Sequence, residues 1–354
     1  MNRRFGFVFG ISGLVGLAPL GGAATSLGAG RAAPTARAVP RAGIVSLDMR
    51  THKERVFPLG DLAALSPEGA RLAEAQNPDN KECVLYVHRL DGSHRRVLVR
   101  TTFPACPGNP RWSPDGRMIA YSLFTKCTVG APGCHPVQLW LVRTSGGAPS
   151  LLSNDAGTAA WAPASKRLAF PGELDGGGRS RLTVENRDGS AKVAFGSRHE
   201  IYSVSWSGDG RKVLYSTNAP YFQNGGTGEI HGVSVATGKD SVVASGVDPA
   251  WSRDGRFLSF IRRTGSRTTL FLMDGRKVRT ILGQRNHDFV HAWSRRGHRL
   301  AFAITNRFGQ AKVFVYDPGR SRPLSAVTRG RYGPVRSIAW SPDGRRLLFV
   351  RTNG

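Results

Sequence analysis

Trp112-Ser113-Pro114-Asp115-Gly116-Arg117 leads into an alternating apolar pair, Ile119 and Tyr121, and the phrase returns intact as Trp340-Ser341-Pro342-Asp343-Gly344-Arg345. It recurs as Trp206-Ser207-Gly208-Asp209-Gly210-Arg211 and Trp251-Ser252-Arg253-Asp254-Gly255-Arg256. Worn copies stand at Trp161-Ala162-Pro163 and Trp293-Ser294-Arg295-Arg296-Gly297, and a seventh, Leu65-Ser66-Pro67-Glu68-Gly69, has lost its tryptophan. Successive copies are 47, 49, 45, 45, 42 and 47 residues apart. Asp-Gly between apolar runs is a hairpin signal, because the tight turn needs a positive φ that glycine tolerates. The residues that follow (Leu168 and Phe170, Val213 and Tyr215, Leu258 and Phe260, Leu300 and Phe302, Leu347 and Phe349) alternate with period two, placing each pair on one face of a strand.

A second hairpin follows in most copies, turning at Asp91-Gly92, Gly146-Gly147, Asp188-Gly189, Thr237-Gly238, Asp274-Gly275 and Pro318-Gly319. Each repeat is thus four antiparallel strands. A period in the forties built this way predicts an all-β fold, a seven-bladed β-propeller of four-stranded blades over residues 44–354. The last copy stops after one hairpin, and residues 44–59 supply an orphan second hairpin, so the two half-blades are expected to close the ring. The first repeat is the irregular one, with Leu65 for tryptophan and Glu74 where the others carry an aromatic; six blades is the alternative.

Residues 1–24 have the pattern of an export signal: Arg3 and Arg4, an apolar stretch from Phe5 to Leu20, then Gly22-Ala23-Ala24. An uncleaved anchor is the alternative reading of this stretch, and residues 25–43 form an Ala/Gly/Pro/Arg-rich leader. No other segment could span a membrane, so a secreted or periplasmic protein is expected. Four cysteines fit that compartment. Cys83, Cys127 and Cys134 are expected in loops joining paired hairpins, and Cys106 in the loop between two repeats, all on one rim. Proximity favours Cys83–Cys106 and Cys127–Cys134 among the three pairings, and neither spacing resembles a structural zinc knuckle.

The chain of 354 residues carries a net charge of +26, with 41 Arg against 9 Lys. Such an excess attracts anionic partners, although arginines spread over all repeats also fit a compositional bias. Export and the lack of an aromatic-interleaved basic stripe argue against nucleic acid. Nucleophile elbows, zinc-protease helices, phosphate loops and dinucleotide motifs are all missing, so no cofactor, metal or catalytic residue is assigned. The repeated Asp of Asp-Gly belongs to the turn. What remains is the channel mouth, where loops entering the innermost strands carry Asp155, Arg198, His199, Glu200, Tyr202, Asp248, His287, Asp288, His291, Arg331, Tyr332 and Arg336. Such groups could ligate or transfer protons, or could be solvated rim residues, and the second reading is preferred.

Trp112-Ser113-Pro114-Asp115-Gly116 with Ile119, Ala120 and Tyr121 resembles the repeat of TolB-type propellers, also called WD40-like or PD40 repeats. The resemblance runs through nearly all of the chain after the leader and implies a periplasmic, non-catalytic platform that engages envelope proteins through its loops. TolB carries an α/β domain before its propeller, where here only a leader precedes residue 44. The same repeat occurs in propeller domains of serine peptidases and in oligogalacturonate lyases, whose metal ligands find no residue-by-residue match here. The expected function is an exported scaffold for a protein or anionic envelope component. The alternative is a lyase or hydrolase acting on acidic saccharides at the mouth, through His199, Glu200, His287 and His291.

Overall fold

The structure, a computed structural model, describes residues 43–58, 62–76, 81–125, 137–154, 156, 158–174, 180–195, 200–217, 228–328 and 333–351. Seven four-stranded antiparallel sheets form seven blades. Six are simple meanders, spanning residues 62–102, 106–153, 160–195, 201–245, 247–285 and 287–326. The seventh is composite: Val335–Trp340 and Arg346–Arg351 pair with Gly43–Asp48 and Glu54–Pro58. Ile44 lies opposite Val350 and Leu47 opposite Leu347, so the predicted half-blades do meet. First strands of successive blades touch one another from the blade at 62–102 round to the composite blade.

The repeated phrase is explained by its bonds. Ser113 Oγ donates to Asp115 Oδ1 (2.5 Å) and accepts from Met118 N (2.9 Å), while Asp115 Oδ1 accepts from Arg117 N (3.1 Å). The same cage recurs around Ser207, Ser252 and Ser341. Gly116, Gly210, Gly255 and Gly344 all take φ near the left-handed region, as the hairpin requires. Gly208 stands where most copies have proline, and a Cβ there would fall 1.9 Å from the Arg253 carbonyl.

The tryptophans join the blades. Trp112 Nε1 donates to the Ala64 carbonyl, Trp161 to Arg111, Trp206 to Ala160, Trp293 to Ala250 and Trp340 to Ala292, all at 2.9–3.1 Å. Each acceptor belongs to the preceding blade, at the residue just before its own repeat head. Trp251 keeps its Nε1 buried without a partner. The aromatic position nine residues after each head is buried in every blade, and the odd one, Glu74, is buried too. Its carboxylate meets His88 Nε2 at 2.9 Å, and this bond raises the imidazole pKa against the pull of desolvation. A hydrogen-bonded acid and base thus occupy a core layer that the other blades fill with rings.

Cys83 and Cys106 form a disulfide, with Cα atoms 5.1 Å apart. The expectation placed both in loops; instead Cys83 lies within the strand Glu82–Arg89 and Cys106 begins the strand Cys106–Trp112, so the bond clips blade 1 to blade 2. Cys127 and Cys134 lie outside the described residues. Replacing Cys83 and Cys106 by Ser is expected to cost about 3 kcal/mol of unfolding free energy, from the loop-entropy relation. Denaturant titration of the oxidised parent against the double variant measures it; equal midpoints would contradict a stabilising clip. Deleting residues 43–58 is expected to leave the strand Arg346–Arg351 with a bare edge. Gel filtration should then show aggregation, and a variant that stays monomeric and melts at the parent temperature would refute closure by this pairing.

Candidate functional site: the channel mouth

The loops and first strands that enter the channel come from different blades, so groups far apart in sequence can share one mouth. Asp155, Arg198, His199, Arg331 and Tyr332 lie outside the described residues. Of the others, Glu200 and Tyr202 sit at the start of Ile201–Trp206, Asp248 in Val247–Trp251, His287, Asp288 and His291 in His287–Trp293, and Arg336 in Val335–Trp340. The segment 286–291, expected as a loop, is therefore mostly strand.

The structure brings three of these strands into one polar cluster. The Asp248 carboxylate accepts from the Ser203 hydroxyl, and the Asp248 backbone bonds the His291 imidazole. Asp248 takes φ 51°, a left-handed conformation uncommon for a residue with a side chain. Its surface opens to the channel, yet the surrounding walls strip away bulk water and raise its carboxyl pKa. Desolvation pushes His291 down to about 4, so the ring is neutral near pH 7, and its Nε2 is buried with no hydrogen-bond partner. On the strand that carries Ser203, Tyr202 Oη lies 3.5 Å from Glu200 Oε2. Burial raises both groups, Tyr202 to about 12, with the Glu200 charge adding to the tyrosine shift.

The remaining predicted residues do not join the cluster. His287 Nδ1 bonds the Arg285 carbonyl at 2.6 Å, and Asp288 turns outward to Arg263 at 3.7 Å. Arg336 is exposed. Among the described residues, no group of three or more His, Cys, Asp or Glu side chains is placed to hold a metal ion.

Two rim residues escaped the sequence reading. Between Leu300–Asn306 and Ala311–Tyr316, Arg307 and Phe308 form the tip of a tight turn on the mouth side. Asn306 Oδ1 accepts from Phe308 N (3.0 Å) and Gln310 N (2.9 Å), fixing the tip. Phe308 is 70% exposed, with the Arg307 guanidinium 4.6 Å from its ring centroid. Asn-Arg-Phe-Gly carries a turn signal, but nothing in it says that the ring faces water.

The His291 environment has a pH signature. Its folded pKa lies below the unfolded value, so the unfolded chain takes up the proton first, and stability is lost as pH falls from about 6.5 towards 4. His291→Gln should flatten that part of the stability profile, measured by urea unfolding at stepped pH. An unchanged slope would show that His291 does not titrate as described.

No protein-family model matches the chain. The Tol-Pal system protein TolB of Francisella tularensis is 24% identical over 186 residues, a stretch covering 49% of this chain and 41% of that protein. TolB from Acinetobacter baumannii superposes with a TM-score of 0.52 at 14% identity, covering 81% of this chain and 65% of that one. The β-propeller domain of the Trilobed protease from Pyrococcus furiosus gives 0.58 at 15% identity, over 83% and 96%. That domain has an open velcro topology, whereas here strands from both ends of the propeller interleave in one blade. Among the described residues no helix is long and apolar enough to cross a membrane. In fold and repeat, the chain is a TolB-like seven-bladed β-propeller.

Proposed function

We propose that this chain is an exported, non-catalytic scaffold that holds a partner protein of the cell envelope on its loop-rich rim, with periplasmic residence after cleavage near residue 24. The observation that carries the reading is Phe308. An aromatic side chain 70% exposed, fixed by its own turn and backed by a guanidinium, has the form of an interface anchor. Arg336, exposed on the next blade, and the net charge of +26 favour an acidic face on the partner. The similarity to TolB supports an envelope role, and the Arg3, Arg4 and apolar stretch support export.

A second reading rests on His291. A neutral imidazole with an unpartnered Nε2, bonded to the backbone of Asp248, is a candidate proton acceptor for a lyase or hydrolase acting on acidic saccharides.

One comparison separates the two. Cross-linking in the native envelope followed by mass identification should recover a defined partner with the parent protein. Arg307→Ala/Phe308→Ala should lose it while melting at the parent temperature. Retention of the same partner by the double variant would remove this rim from the account. Turnover of acidic oligosaccharides that disappears in His291→Ala would replace the scaffold with the enzyme.

A further inference from the structure

The seams between blades follow a second rule. At four of the seven seams the residue six positions after one repeat head covers the head of the next blade. Arg71, Arg167 and Arg299 lie over Trp112, Trp206 and Trp340, with guanidinium carbons 4.9, 5.4 and 4.6 Å from the rings. The same three donate to the turn carbonyls of Gly116, Gly210 and Gly344 at 3.3, 3.4 and 2.5 Å. Phe257 stacks on Trp293 from the same position.

At the closing seam the rule breaks. Arg346 holds that position in blade 7, but the head it faces is Leu65. With no ring to cover, its guanidinium makes no hydrogen bond, ion pair or ring contact among the described residues, and Gly69, the counterpart of the three turn glycines, receives none from it. A cavity of about 850 Å³ opens there, on the tight-turn rim between blades 7 and 1, with Arg50, Arg345 and Arg346 in its wall. None of these three guanidiniums makes a hydrogen bond or close ion pair among the described residues; each acts on a carboxylate of the wall only through charge, Arg50 on Asp48 and Arg345 and Arg346 on Asp343. The carboxylates of the same wall are engaged. Asp48 accepts from the backbone of Arg50 and Thr51, Glu68 from Arg71, and Asp343 from Ser341 and the Arg345 backbone.

We propose that this closing-seam cavity binds a small organic phosphate monoester, whose phosphate is received by Arg346, Arg345 and Arg50. Each guanidinium offers five N–H donors in a fork that matches oxyanions. Three forks exceed what the two oxygens of one carboxylate accept, whereas a phosphate dianion brings three oxygens and the charge to suit them. The cavity is several times larger than a phosphate group and falls in the range of small-ligand sites, so it has room for an organic body. The site lies on the rim opposite the loops and does not depend on the scaffold reading.

Calorimetric titration of the whole protein at 0.15 M salt, with glucose 6-phosphate, inorganic phosphate and citrate as probes, tests the assignment. Glucose 6-phosphate should bind one saturable site, with inorganic phosphate competing at least tenfold more weakly. Arg346→Gln and Arg345→Gln should each weaken binding at least tenfold. Arg276→Gln, which removes an equal charge from an outer hairpin, should leave it unchanged. Leu65→Trp should give Arg346 a ring to cover, raising the melting temperature and abolishing binding. Equal losses in Arg276→Gln and Arg346→Gln would reduce the effect to diffuse attraction by a basic surface. Tighter binding of citrate, inorganic phosphate as strong as the ester, or no saturable binding would each overturn the proposal.

Discussion

The bond from a tryptophan N–H to the backbone of the preceding blade is the contact on which the ring rests. A propeller blade cannot bury both of its faces alone, so its stability comes from its neighbours. The indole does two things at once. Its area fills the seam, and its single polar atom is satisfied by a first-strand carbonyl of the preceding blade. One such hydrogen bond is worth about 1 kcal/mol net. Its value here is geometric as well, since it sets the step from one first strand to the next. The arginine laid over three of the rings shields the seam from water and links it to the following turn. Part of the exceptional arginine content is therefore structural. The positive field is partly a by-product of how blades are joined.

The architecture was legible because it is periodic. Trp, Asp-Gly and the alternating pair repeat at constant offsets, and each maps to one bond or one buried layer that the structure displays. The two irregular positions were equally visible, since Leu65 and Glu74 break a pattern that six other repeats keep. Their consequences were not. That Glu74 would be bonded by His88 depends on a cross-strand neighbour, and that Leu65 would leave Arg346 without a ring depends on which blade follows which around the circle. Both are facts of closure, which no local window contains.

The mouth was less legible for a different reason. Sequence can say which residues enter the rim, but the side of a strand on which a group emerges depends on twist and bulges. The pairing shifts between Val247 and Ala250, and Asp248 adopts its left-handed conformation inside that irregularity. His287 and His291 are four residues apart on one strand, yet one bonds its own chain locally and the other is desolvated against the preceding blade. Charge and residue type were the same in both cases. Only the strand geometry separates them.

The composite seventh blade also sets an order of events. Ile44 and Val350 are neighbours in space but roughly three hundred residues apart in the chain, so their pairing carries the largest loop-closure cost in the fold. The six meander blades can form from local hairpins; the seventh has to wait for both of its halves. Folding should therefore pass through an open arc whose terminal blades are already built, and the ring should reopen at the same place first when it unfolds. The closing seam is therefore expected to be the last part made and the first released.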